Sequence, residues 1–356
     1  MNRINVVPRY LTKVLAMLLT IALAMGVSMS ALADGEVNVY NWEDYISEGA
    51  LALFEEETGI KVNYMRFTTN EDMLVQVRAD PTNYDVIFPS DYIIERLISE
   101  ELLEELDWGN IPNASNVLGW LNNPSYDPDG RFSVPYMWGT VGILYNTKMV
   151  NAPIDSWTAL WDEEYKNNVF MMDSIRDTIG VTLKMLGYSM NERSQEALDA
   201  VKDRLIEQKR AGIVKAYQVD ETKDKMIAGE AAIGVVWSGD AAYAMGYNED
   251  LAYVVPNEGS NVWVDGMCVP KGARNKANAE TFIDFMCRPD VALLNFEEIW
   301  YCTPNAGTIA LLDEETLQDE TIFPPQDVID RCEFFQDISS DITRFNRIWL
   351  AVKSAR

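Results

Sequence analysis

The chain has 356 residues, with 29 Lys and Arg against 56 Asp and Glu, a net charge of −27 and no histidine. Such an acidic surface repels nucleic acid and anionic lipid and draws in cations, and the missing imidazole excludes Ser-His-Asp and Cys-His catalysis along with the commonest metal ligand. The four cysteines, Cys268, Cys287, Cys302 and Cys332, stand far apart with no C-x-x-C pair, so neither a zinc site nor thiol exchange is indicated, and up to two disulfides by any of three pairings stay open.

The chain opens with Arg3, Arg9 and Lys13 and no acidic residue, continues as an apolar stretch from Val14, and reaches Ala31-Leu32-Ala33 before Asp34. Basic, then apolar, then small-x-small is the layout of a secretory signal. It predicts export to the periplasm with cleavage after Ala33. An uncleaved anchor is the alternative, since the apolar stretch is long enough to span a bilayer. Removing residues 1–33 takes away three positive charges and no negative one, which leaves a net charge near −30. What remains is more than one core usually organises, so two domains are expected.

Val37 and Val39 alternate with polar neighbours as in a strand, and a helix over 51–57 stops at Gly59. A second alternating run covers 62–67. Thr69-Asn70 can cap a helix carrying Met73, Leu74 and Val77, residues 85–88 read as a buried strand, and Ser90 can cap a helix around Ile93, Ile94, Leu97 and Leu102. This β-α-β-α-β order implies a mostly parallel sheet. The extended apolar run 134–146 suits a chain leaving the first domain. A second α/β pattern follows: a strand over 168–172, helices over 182–186 and 194–208, and a strand over 231–237. The run 262–269 is again strand-like and suits a return crossing. Two crossings predict a hinged, two-lobed molecule.

In open α/β sheets ligands lie beyond the carboxyl ends of the strands. The loops there, 41–45 and 89–92, hold no G-x-G-x-x-G or P-loop, so no nucleotide or other cofactor is expected. They hold aromatic and acidic residues instead. Four segments pair an aromatic ring with a nearby carboxylate: Trp42 with Asp44, Trp237 with Asp240, Trp263 with Asp265, and Tyr92 with Asp91. A carboxylate matches an ammonium, and a ring face attracts the cation while walling in methylenes, worth roughly 0.5–2 kcal/mol. Taken singly, each Trp also fits a core and each Asp a helix cap, Asp240 in particular.

The segments YNWEDYISEG (40–49), FEEETGIKVNY (54–64), DVIFPSDY (85–92), VPYMWGTVGILYN (134–146), VVWSGDAA (235–242), FIDFMCRPDVA (282–292) and YCTPN (301–305) resemble the bacterial spermidine/putrescine-binding proteins. The resemblance implies a periplasmic-binding-protein fold of two α/β lobes, each a mostly parallel sheet flanked by helices. The lobes are expected over 34–139 plus 264–309 and over 140–263 plus 310–356. It also implies a polyamine ligand, an inner-membrane ABC permease as partner, a monomer, no enzymatic activity and no metal. By position, Trp42, Tyr45 and Asp44 match the family's first-loop wall, Ser90 and Tyr92 its contacts after the third strand, and Asp177 a carboxylate of the second lobe. Trp237, Trp263 and Tyr301 match stacking residues, Asp265 a central ammonium-binding aspartate, and Gln336 a glutamine of the spermidine receptors.

Two departures lean towards a diamine. Ser174 replaces a second carboxylate of the spermidine receptors, and Asp240 resembles the putrescine arrangement. On that reading Asp240 with Asp177 meets one ammonium, and Asp265 with Asp44 the other. A secreted glycoside hydrolase is the rival from another class, because paired carboxylates and Trp platforms also suit sugar cleavage. The same fold with a sugar, amino acid or ferric iron is the second rival. An amino acid would need an arginine, and none lies in the aromatic-acid loops.

Overall fold

The computed structural model describes residues 35–355; the expected signal segment 1–33 and its cleavage point after Ala33 lie outside the described residues. Strand β1 (Gly35–Trp42) leads into helix α1 (Glu48–Thr58), β2 (Ile60–Phe67), α2 (Asn70–Ala79), β3 (Val86–Ile87) and α3 (Asp91–Ser99). Gly59 ends α1 as expected: its φ of 73° is left-handed, and its N–H returns to the Glu55 carbonyl. Met73, Leu74 and Val77 form the buried face of α2. The strand expected over 85–88 narrows to two residues.

The second α/β pattern is fuller than the sequence suggests. Strand β4 (Ser133–Asn146) precedes β5 (Val169–Met172), α4 (Ile175–Met185), α5 (Gln195–Arg210), β6 (Val214–Gln218), α6 (Glu221–Ile227), β7 (Ile233–Trp237) and α7 (Ser238–Tyr247). Strands β8 (Leu251–Val254) and β9 (Val262–Cys268) follow, then α8 (Lys276–Met286) and α9 (Pro289–Ile299). Short helices α10 (Ala306–Ile309), α11 (Glu314–Leu317) and α12 (Gln326–Ile329) lead to α13 (Ile342–Ser354). Helix α4 starts seven residues before the expected 182, because the Ser174 hydroxyl accepts the Asp177 N–H and caps it there.

Strand order is β2-β1-β3-β9-β4-β7-β5-β6, with β8 beside β4. Strand β1 is parallel to β2 and β3, and β5 is parallel to β6 and β7. Between these parallel sets stand β9 and β4, and β4 is antiparallel to all three of its partners. Its first half, 133–140, pairs with β9, and its second half, 141–146, pairs with β7 and β8. All fourteen residues of β4 are buried, which explains its unbroken apolar run. The two crossing strands therefore run side by side from one lobe to the other.

Each lobe has its own core. One gathers Val37, Phe54, Phe88 and Phe282, and the other Trp157, Ile179, Leu205 and Phe345. The partly buried Phe323, Ile329, Cys332 and Phe334 pack on the first core, whereas Phe335 belongs to the second. All four cysteines are free thiols.

Asp85, wholly buried, ties β1 to the start of α8. It accepts the Asn38 N–H and Nδ2 at 2.8 Å each, the Asn275 N–H at 2.8 Å and the Asn275 Nδ2 at 3.0 Å. Asp85→Ala strands these donors out of water and is expected to destabilise the protein by about 2–4 kcal/mol. A urea unfolding midpoint equal to wild type would show that water replaces the carboxylate.

Candidate ligand-binding site

Asp265 lies on β9, the return crossing, and is 6% exposed. Its carboxylate accepts the Ser90 Oγ–H at 2.6 Å and the Tyr45 O–H at 2.7 Å. The two donors come from the loops after β3 and β1, at the carboxyl ends of parallel strands. Burial pushes the Asp265 pKa up to about 6, and these two hydrogen bonds oppose the rise. Burial and the neighbouring Asp265 charge hold the Tyr45 phenol well above its ordinary pKa, so it stays a donor. Among the described residues no lysine or arginine pairs with Asp265.

Trp263, two residues earlier, shares a strand face with Asp265. Its ring meets Tyr301 edge-on at 4.9 Å, and Tyr301 in turn lies 6.0 Å from Tyr45. The buried Trp263 Nε1 has no partner among the described residues. Tyr301 presses on the first turn of α7 so closely that a Cβ on Gly239 would sit 2.3 Å from its ring. Only glycine admits that approach.

Ser90 was expected as a helix cap. It does occupy the residue before α3, but its hydroxyl makes no capping bond, because it is committed to Asp265. Asn70 accounts for the other half of the correction: Thr69 caps α2, which frees the buried Asn70 to donate to Ser90 Oγ at 2.9 Å and Tyr92 Oη at 3.1 Å. Tyr92 Oη lies 3.3 Å from Glu71 Oε1. The pairing of Tyr92 with Asp91 dissolves, since Asp91 is wholly buried, accepts its bond from the Tyr92 N–H, and is driven well above the carboxylate range by burial. Tyr92 and Tyr301 each pack against both principal cores.

The second lobe brings Asp177, buried in the first turn of α4, where it accepts from the Ser174 hydroxyl. Desolvation raises its pKa. Beside it is a residue that the loop-by-loop reading overlooked. Arg176 is 6% exposed, with its guanidinium 4.2 Å from the Phe335 ring and 6.0 Å from Tyr92. Its Nε and Nη1 have no partners, and burial lowers its pKa to about 10. An arginine thus does stand near the aromatic-acid loops, supplied by a helix.

Trp237 precedes α7 and packs, half-buried, on the second core. Asp240 is not the cap of α7; it lies in the first turn with its carboxylate 3.2 Å from Lys223 Nζ. Trp42 donates its Nε1–H to the Phe88 carbonyl at 2.8 Å, which fixes it to the first lobe. Asp44 is exposed, with a left-handed φ of 49°, and Gln336 is exposed with its Oε1 3.4 Å from Arg193 Nη2. Tyr45, Ser90, Tyr92, Trp263, Asp265 and Tyr301 therefore form one connected cluster. Asp177, Trp237 and Asp240 stand on the second lobe, and Trp42, Asp44 and Gln336 make no bond to the cluster.

Asn70 was expected only as a cap, and Glu71, Arg176 and Lys223 were not singled out. Asn70 had a signal: a second capping residue next to Thr69 is redundant for capping. The cations had none, because each acts far from its place in the sequence. Among the described residues no group of His, Cys, Asp and Glu could hold a metal, and no helix is long and apolar enough to cross a membrane.

A family model for bacterial extracellular solute-binding protein matches residues 49–325. The spermidine/putrescine-binding periplasmic protein of Salmonella typhimurium is 32% identical, over 94% of this chain and 97% of its own length. The putrescine-binding periplasmic protein PotF of Escherichia coli is 30% identical, over 93% and 95%. Among solved structures, the spermidine/putrescine ABC transporter substrate-binding protein PotD of Streptococcus pneumoniae superposes with a TM-score of 0.80 at 39% identity, covering 90% of this chain and 98% of its own. With two α/β lobes joined by paired crossing strands, and with this match along most of its length, the chain belongs to the bacterial extracellular solute-binding proteins.

Proposed function

We propose that this protein captures a small polyamine, of the putrescine and spermidine class, between its lobes and delivers it to an ABC permease of the inner membrane. The observation that carries this reading is Asp265: a buried carboxylate held by two hydroxyls, walled by Trp263, Tyr45 and Tyr301, with no cation of its own among the described residues. A primary ammonium supplies the missing charge, and the rings enclose the methylenes. The names of the relatives support the same ligand class. Solute-binding proteins carry ligands without transforming them, so the glycoside hydrolase reading is set aside.

The ligand contacts of this reading are Trp42, Asp44, Tyr45, Ser90, Tyr92, Asp177, Trp237, Asp240, Trp263, Asp265, Tyr301 and Gln336. The lobes of this reading are 34–139 with 264–309 and 140–263 with 310–356, although Phe323, Ile329, Cys332 and Phe334 pack on the first core and the second takes over from Phe335. The protein works as a monomer in the periplasm. Arg176 favours one second reading, an ω-amino acid whose carboxylate meets the Nε and Nη1 left without partners among the described residues, while Nη2 donates to Asn191 Oδ1 and the Gln336 carbonyl at 3.3 Å each. Isothermal titration with putrescine, cadaverine, spermidine, spermine and 4-aminobutanoate separates the two. One-to-one binding of a polyamine supports the first reading, and binding of 4-aminobutanoate alone overturns it.

Removal of residues 1–33 predicts a periplasmic form beginning at Asp34, and intact-mass measurement checks this; the full-length chain in the membrane fraction would contradict it. Asp265→Ala should weaken polyamine binding by about 3–5 kcal/mol, roughly a hundredfold to several thousandfold. Trp263→Ala should cost less, about 1–2 kcal/mol. Asp265→Ala within threefold of wild type would mean that the ammonium binds elsewhere. The ligand needs Asp265 ionised, and in the unliganded protein its pKa is about 6. Affinity should therefore be level above pH 7 and about tenfold weaker at pH 5. A flat profile from pH 8 to pH 5 would show that Asp265 is not the anchor.

A further inference from the structure

Asp240 already has an ammonium. Its Oδ1 lies 3.2 Å from Lys223 Nζ, the only base within ion-pair distance of it among the described residues. The Asp240 side chain is 15% exposed and that of Lys223 33%, so the pair is largely withdrawn from water. Lys223 Nζ also stands 5.6 Å from the centre of the Tyr243 ring. A carboxylate and an aromatic face are the two partners an alkylammonium ligand would seek here, and a lysine side chain is itself an alkylammonium.

We propose that Lys223 is a specificity-determining residue, a tethered ammonium that takes Asp240 in place of the ligand contact given to it above and favours ligands with two ammonium groups over those with three. This rests on the polyamine reading above. Helix α6 begins at Glu221 and presents Lys223 to the first turn of α7, whose Gly239 abuts Tyr301 and so borders the Asp265 cluster. The buried carboxylates facing the cluster divide unequally. Asp265 and Asp177 have no Lys or Arg within ion-pair distance among the described residues, whereas Asp240 has Lys223. Asp91 is also without a base but is wholly buried and turned to the Tyr92 N–H, so Asp265 and Asp177 are the two carboxylates left to match a diamine. The third ammonium of a triamine reaches an occupied subsite and meets a like charge, the device by which interfaces reject a near-miss ligand. Asp220 and Asp224 act on the same pair and help to hold Lys223 protonated.

Lys223 acts through Asp240, so the test reads a ratio of affinities and not affinity alone. Titrating wild type with putrescine and spermidine should give putrescine at least as tight as spermidine. Lys223→Met opens Asp240 and should shift the ratio towards spermidine by tenfold or more, through tighter spermidine binding. Lys223→Arg preserves the pair and should keep the wild-type ratio. The double variant Lys223→Met with Asp240→Asn should return to within threefold of it. Lys225, on the same helix as Lys223 and with its Nζ bonded to Gln218 of β6, is the control for bulk charge, and Lys225→Met should leave the ratio unchanged. Should Lys223→Met fail to fold in a thermal melt, Lys223→Gln carries the same expectation. A ratio within threefold of wild type in the folded Lys223 variant overturns the inference while both polyamines still bind. Absence of any polyamine binding to wild type overturns the parent reading instead.

Discussion

The rest of the molecule is organised around one unfavourable act, the removal of the Asp265 carboxylate from water. A desolvated anion is expensive, and two hydroxyl donors offset only part of the cost, as its raised pKa records. The sign of the linkage follows. A carboxyl whose folded pKa lies above its ordinary value favours the unliganded fold when protonated, and that contribution is lost as pH rises through about 6. At neutral pH the site carries stored electrostatic strain. On the proposed reading, a cation that enters relieves it, so binding energy is directed to the place where the lobes meet.

That place is mechanically apt. Asp265 is on a crossing strand, its two donors belong to the first lobe, and Tyr301 reaches from beside them to the first turn of α7 in the second. Tyr92 and Tyr301 pack on both principal cores, and the Asp337 N–H bonds across to Glu95 on α3 at 2.7 Å. A ligand that joins these groups favours the arrangement in which they are together, and it shifts the lobes towards closure by as much as its affinity differs between the two arrangements. A permease that distinguishes closed from open then reads the presence of ligand.

The chain's overall acidity attracts cations without choosing among them. On the reading proposed above, selection belongs to a few charges withdrawn from water: Lys223, carried to Asp240 by a helix, turns a general preference for cations into a preference for how many the cleft accommodates.

Much of this was legible along the chain. Hydrophobic alternation located β1 and β2, the unbroken apolar run located β4, and Gly59 marked the end of α1, because these features depend on neighbours a few residues apart. The recurrence of rings beside carboxylates pointed to a site for cations. Tertiary structure decided which of those side chains come together. Ser90 and Asp240 each read as a helix cap, and a cap and a binding residue look alike locally. Only strand register brings Ser90 to Asp265, 175 residues away, and only the packing of α6 on α7 gives Asp240 to Lys223. Asp91 and Asp265 are likewise both aspartates beside an aromatic in a strand-like setting. Both are buried, but Asp91 opens α3 and accepts the Tyr92 N–H, whereas Asp265 on β9 receives hydroxyls from two loops, a difference of partners that sequence spacing does not carry.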